Sequence, residues 1–207
     1  MHGTPSIRTA LPTDRDAVLA TVAAAFDGDP GWAFLLAGDH RRLAPELAGA
    51  LFDTRIASRS VWVTGDLSGV AMWDPPRVAA PADVEPIWER YRAVAGAGVF
   101  ERLARYQEAL AAVAPTEPHW YLGVLATRPE SQRRGLASAL MAPTIEDADS
   151  HGLACCLETS TPENRSFYER RGFADATRLD VKGAPPTWWM RRPAAPKQRT
   201  AKPEELT

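Results

Sequence analysis

Arg128-Pro129-Glu130-Ser131-Gln132-Arg133-Arg134-Gly135-Leu136-Ala137-Ser138-Ala139-Leu140 decides how this chain is read. Ahead of it, Tyr121-Leu122-Gly123-Val124-Leu125-Ala126 is a short apolar run of the kind that forms a buried strand. After it, Leu136, Leu140 and Met141 recur at helical spacing. The quoted stretch is therefore a strand-to-helix turn, basic and built of small side chains. At a helix N-terminus the first N–H groups have no intrahelical acceptor and the macrodipole is positive, so several donors converge on an anion placed there. Gly135 and Ala137 keep the surface low enough for a diphosphate to reach the backbone around Leu136 and Ser138, and Arg133 and Arg134 add charge for a diphosphate or ribose phosphate. Two other phosphate cradles are excluded by spacing, since neither Gly-x-x-x-x-Gly-Lys-Ser/Thr nor Gly-x-Gly-x-x-Gly occurs.

A second segment carries comparable detail. Leu153-Ala154-Cys155-Cys156-Leu157-Glu158-Thr159 reads as a buried strand, and Thr161 to Phe173 as a short helix with its own punctuation. Thr161 suits the N-cap, Pro162 the first turn and Glu163 the positive end. Arg170 and Arg171 suit the negative end, and Gly172 the left-handed stop. Asn164 and Tyr168 are one helical turn apart, so both project from one face.

Gln132-x-x-Gly135-x-Ala137 resembles the acetyl-coenzyme A signature of the GCN5-related N-acetyltransferases, the GNAT superfamily. The stretches Ala23-Ala24-Ala25-Phe26, Val61-Trp62-Val63, Leu157-Glu158-Thr159-Ser160, Phe167-Tyr168-Glu169-Arg170-Arg171-Gly172-Phe173 and Pro186-Thr187-Trp188-Trp189-Met190 are similar to the puromycin N-acetyltransferase group and its actinobacterial relatives. The likeness runs from about Ile7 to Arg192 and is dense after Glu117. Thr127 stands where a valine is usual and Ala137 where glycine is common, and Asp27-Gly28-Asp29-Pro30 departs from the aromatic loop of the puromycin enzyme.

The resemblance implies a mixed α/β fold. A mostly antiparallel sheet of six to seven strands would contain one splayed parallel pair, with helices on both faces. It also implies acetyl-CoA as cosubstrate, without a metal. Pantetheine would lie in the slot, bonded by amides of Leu125, Ala126 or Thr127, with an amide near Leu125 polarising the acetyl carbonyl. Gln132, Arg133, Arg134, Gly135, Leu136, Ala137 and Ser138 would hold the diphosphate, Asn164 would touch the pantetheine arm, and Tyr168 would sit beside the sulfur as the acid. Glu158 is the leading group to take the amine proton as the acceptor attacks through a tetrahedral intermediate; the alternative is a buried carboxylate that holds an arginine. His119, at the far end of the strand, is the lesser base.

The 207 residues, 45% hydrophobic and with net charge −2, suit one domain with a full core and give no basic surface for nucleic acid. We read residues 1–192 as a single acetyltransferase domain, 83–114 as a helical elaboration near the acceptor, and 193–207 as a disordered tail. No leader or membrane span is legible, so the expected compartment is cytoplasmic. Cys155 and Cys156 point to opposite faces of a strand and do not pair.

Elsewhere, Ile7 to Ala10 is a strand, and Thr13 and Asp16 read as a capping box for a helix that ends by Gly28. Arg41 to about Arg59 reads as a helix, Val61 to Thr64 and Val70 to Trp73 as a hairpin, and Asp83 to Val113 as two helices broken near Gly96. Asp27 and Asp29 read as turn chemistry. Seven tryptophans are present, and those on the first interhelical loop and last strand are candidates to wall an apolar slot. The expected activity is acetyl transfer to a primary amine of a small molecule, with an aminoacyl-nucleoside antibiotic such as puromycin as one candidate and resistance as the role. Transfer to protein or peptide amines and a non-catalytic acyl-CoA sensor are the alternatives, and a monomer or homodimer is expected.

Overall fold

A computed structural model describes residues 5–76 and 84–194. Seven strands form one sheet in the order β1-β2-β3-β4-β5-β7-β6. They are β1 (Ile7–Thr9), β2 (Val61–Thr64), β3 (Gly69–Asp74), β4 (His119–Thr127), β5 (Ala154–Thr159), β6 (Asp175–Leu179) and β7 (Thr187–Arg192). Every neighbouring pair is antiparallel except β4 with β5. The expected mixed α/β fold with one parallel pair is therefore observed.

Among the described residues seven α-helices cover the sheet: α1 (Arg15–Ala25), α2 (Pro30–Leu35), α3 (His40–Asp53), α4 (Glu85–Ala95), α5 (Ala97–Val113), α6 (Leu136–His151) and α7 (Pro162–Glu169). Alternation along the strands divides the core in two. Val70, Met72, Val124 and Cys156 pack with Val18, Leu43 and Phe52 of α1 and α3 on one face. Ala71, Trp73, Cys155 and Leu157 pack with Leu140, Met141 and Phe173 on the other. Both cysteines are buried and free, one on each face, as strand alternation requires. Phe52 and Phe173 are almost wholly enclosed, and burying a side chain of that size contributes roughly 3 kcal/mol.

Three local readings are corrected. The Thr13 and Asp16 capping box does not form. Asp14 ends a short 3-10 turn and its carboxylate accepts from Leu11 N at 2.7 Å and from Arg8, so its neighbour rather than Thr13 organises the start of α1. The helix expected to reach Arg59 stops at Asp53; a separate 3-10 turn, Ile56–Ser58, follows and ends at a left-handed Arg59. The Asp27 to Pro30 turn runs on into α2, because Asp29 accepts from Trp32 N at 2.9 Å and Pro30 fits the first turn. Of the segment read as a tail, residues 195–207 lie outside the described residues, as does Asp83 of the helical elaboration.

Candidate active site

The sheet opens between β4 and β5. Their pairing runs from His119 opposite Ala154 to Leu122 opposite Leu157 and goes no further, although β4 continues to Thr127 and β5 to Thr159. The departure starts at Gly123. On the β3 side the register skips this residue, passing from Val124 opposite Met72 to Leu122 opposite Trp73, which makes a bulge. A Cβ there would stand 2.9 Å from Arg55 Nη2, so a side chain would have to displace the guanidinium that binds Asp74. A glycine inside an apolar strand was the sequence sign of this bend.

Beyond the bulge, Arg128 N donates to Ser68 O at 2.9 Å. Successive residues of a strand direct their N–H groups to opposite edges, so Ala126 also turns toward β3 while Leu125 and Thr127 present their amides to the open edge. Leu125 and Thr127 line the cleft and Ala126, buried against β3, does not. Of the three amides expected to be free, the geometry offers two.

The cleft measures about 490 Å³. At one end stands the basic turn. Arg133 has φ +60° and Gly135 φ +81°, so the chain passes twice through the left-handed region before α6 begins. Nothing lies within 4 Å of where a Gly135 Cβ would be, so glycine is required here by backbone angle and not by crowding. Gln132, Arg133, Gly135, Leu136, Ala137 and Ser138 line this end, whereas Arg134 lies outside the lining. Gln132 Nε2 reaches back to Thr127 O at 3.4 Å.

Facing the turn is α7. Thr161 caps it by accepting from Asn164 N at 3.3 Å, and Asn164, Phe167, Tyr168 and Arg171 all contribute to the cleft wall. Arg171 was read only as a charge at a helix end. Its guanidinium lies 3.5 Å from the centre of the Phe167 ring and donates to Phe167 O and to Ser138 Oγ, joining the end of α7 to the first turn of α6. Burial, with Arg170 beside it, lowers its pKa, an environment suited to an anion.

Glu158 and Tyr168 both line the cleft, near enough for the charge of one to act on the other. Glu158 is enclosed by protein while its carboxylate still edges the cavity, and burial pushes its pKa up to about 7 despite the hydrogen bond from Tyr121 and the nearby Arg55. Tyr121 is held flat against Trp189, ring centres 5.6 Å apart. Tyr168 is raised above the ordinary phenol range by burial and by the charge of Glu158, so it stays protonated at neutral pH. The cleft thus holds a group that can take a proton near neutrality and another that keeps its own. Among the described residues no arginine pairs directly with Glu158: Arg55 binds Asp74 at 2.6 Å instead.

A second cavity of about 350 Å³ adjoins Glu158, lined by residues of α2, α3, α4, α5 and the sheet. The two cavities share Trp32, Leu35, Tyr106, Gly123 and Glu158. His119 is elsewhere, on a separate depression with Glu117 and Pro118, with its Nδ1 on Glu117 O. Among the described residues no group of three His, Cys, Asp or Glu side chains is placed to hold a metal ion, and no helix is long and apolar enough to cross a membrane.

A profile described as "Acetyltransferase (GNAT) family" matches residues 64–173, more than half of the chain. The chain belongs to the GNAT family of acetyltransferases. The match covers β4, the turn, α6, β5 and α7, the elements that build the cleft. Two solved GNAT-like structures share the fold across nearly their whole length. One, titled histone acetyltransferase HPA2 and related acetyltransferase, from Corynebacterium glutamicum, is 24% identical, with 94% of this chain and 99% of that one covered at a TM-score of 0.63. The other, arylalkylamine N-acetyltransferase 2 from Aedes aegypti, is 13% identical, with 92% and 99% covered at 0.65. Against this GNAT frame, the residues that sequence reading missed are Arg171, Tyr121 and Tyr106. Only their partners in space give them a place at the site.

Proposed function

We propose that this GNAT acetyltransferase moves the acetyl group of acetyl-CoA to a primary amine of a small molecule. The observation that carries the reading is the cleft itself. The α6 turn with its N-terminal amides, Leu125 and Thr127 of the open strand edge, Glu158 and Tyr168 all line it, which supports one path from a diphosphate to a proton-handling pair.

Acetyl-CoA, when bound, supplies an activated thioester. The amides of Leu136, Ala137 and Ser138, with Arg133 and Arg171, receive the diphosphate. Leu125 and Thr127 N–H groups and Asn164 would hold the pantetheine arm, and the Leu125 amide would donate to the oxygen on which charge develops; such a donor in a dry site is worth about 3 kcal/mol. Glu158 takes the proton of the incoming amine, directly or through water, and Tyr168 gives its phenolic proton to the departing sulfur. The acetyl carbon gains a bond to nitrogen and loses its bond to sulfur, so no covalent enzyme intermediate is needed.

The acceptor is a small amine because the region beyond Glu158, walled by α4 and α5, leaves a cavity of only about 350 Å³. The sequence likeness to the puromycin N-acetyltransferase group makes aminoacyl nucleosides candidates, with a resistance role. The test is incubation of the purified protein with acetyl-CoA and an amine panel that includes puromycin, with free thiol and acetylated amine measured together. Stoichiometric appearance of both supports the reading. Tight acetyl-CoA binding with no acetylated product from any amine would point to a sensor instead.

A further inference from the structure

The cavity that adjoins Glu158 has a composition that restricts what can enter it. Its walls are mainly apolar and aromatic, with Leu47, Leu51, Trp88, Phe100 and Leu103 prominent. Its volume of about 350 Å³ lies at the small end of the range for small-molecule sites. Among the described residues the lining carries three charged side chains, Arg55, Asp74 and Glu158. Arg55, 5% exposed, is joined to Asp74 at 2.6 Å, so those two charges offset each other. Glu158 is bonded to the Tyr121 hydroxyl and stands at the junction with the acetyl-CoA cleft. A guest with one amine meets one available carboxylate. A guest with further ammonium groups would have to bury them without a partner, at a cost that rises with each.

We propose that this cavity selects its acceptor as a primary amine on an uncharged aromatic body, with the ring held between Trp88, Phe100 and Leu103 and the amine directed at Glu158. The inference rests on the acetyl-transfer function proposed above and names the acceptor class for it. Ala104 and Gln107, both on exposed positions of α5, line the cavity, so its rim includes that helix.

The experiment has two arms. Calorimetry with acetyl-CoA alone reports on the proposed function, and absence of binding would remove that function and this inference together. With acetyl-CoA bound at saturation, initial rates are then compared for phenethylamine, tryptamine, spermidine and a lysine-containing peptide. The expected result is a kcat/KM for the two aryl amines about tenfold or more above the other acceptors. Ala104→Trp, on the exposed rim where folding is not at stake, and Trp88→Leu, in the wall, are each expected to raise KM for phenethylamine while leaving acetyl-CoA affinity unchanged. Preference for spermidine or the peptide, absence of turnover with every amine despite acetyl-CoA binding, or an unchanged KM in both variants would overturn the proposal while leaving acetyl-CoA binding intact.

Discussion

Replacing Glu158 by glutamine tests the proton-transfer half of the account. Burial raises this carboxyl from its ordinary 4.5 to about 7, a displacement that corresponds to roughly 3 kcal/mol of preference for the neutral form. In the native enzyme, kcat/KM should rise with pH through the neutral range. At pH 6 only about one molecule in ten carries the base in its ionised form, so activity there should be about tenfold below the plateau reached above pH 8. Glu158→Gln keeps the shape and can still accept the Tyr121 hydrogen bond. It should lose the pH limb belonging to Glu158 and fall by about 10²-fold or more on the plateau. Stability moves the other way. A carboxyl whose folded pKa lies above its unfolded one favours the fold below about pH 4.5, and that contribution is lost as pH rises through 7. By pH 8 the native protein carries on the order of 3 kcal/mol of cost that the glutamine variant lacks. The variant should therefore melt several degrees higher than wild type at pH 8, and the gap should close toward pH 4.5. The assays are thiol release across pH 5.5 to 9 with one amine throughout, and thermal melts across the same range. Superimposable pH–rate curves, together with no gain in melting temperature at pH 8, would refute the assignment of Glu158 as a buried, neutral-range base.

Tyr168→Phe should lower kcat by about 10²-fold with little change in the dissociation constant for acetyl-CoA, because the phenol acts on the sulfur rather than on the phosphates; parallel kinetics and calorimetry decide this. Gly135→Ala should cost roughly 1 kcal/mol of stability through its left-handed angle and weaken acetyl-CoA binding at the turn, as read from denaturant melts and calorimetry. Asp29→Ala should remove the α2 cap, destabilise the fold by about 1 kcal/mol, and raise KM for the amine more than for acetyl-CoA, since Trp32 lies on that helix in the shared wall. Both cysteines are pushed up to about 12 by burial, so a thiol reagent should find no reactive enzyme thiol until denaturant is added, whereupon two should appear per chain.

The fold was legible where local chemistry and tertiary packing agree. The strand before Arg128, the turn at Gly135 and the capped helix after Thr161 each have apolar periodicity bounded by residues that stop or start it. α2 was hidden because Asp29-Pro30 signals a turn and a helix start equally, and six residues are too few to show a period. Only the packing of Trp32 against Phe26, ring centres 4.4 Å apart, decides between them. That Glu158, Asn164 and Tyr168 line one cleft was legible because one strand end and one helix face set their direction. The edge to which each strand amide points depends on pairing with β3, so Ala126 could not be separated from Leu125 and Thr127 beforehand. Arg171 likewise has its place only through Phe167 and Ser138, which the chain brings together from different helices.

Calorimetric titration of the purified protein with acetyl-CoA tests the central claim most directly, because every functional statement depends on the α6 turn and the β4–β5 opening holding that molecule. The account predicts one site per chain, with affinity reduced for Arg171→Ala and for a coenzyme fragment that lacks the diphosphate. A folded protein that shows no binding at millimolar acetyl-CoA, or that binds the fragment as tightly as the whole, would contradict it.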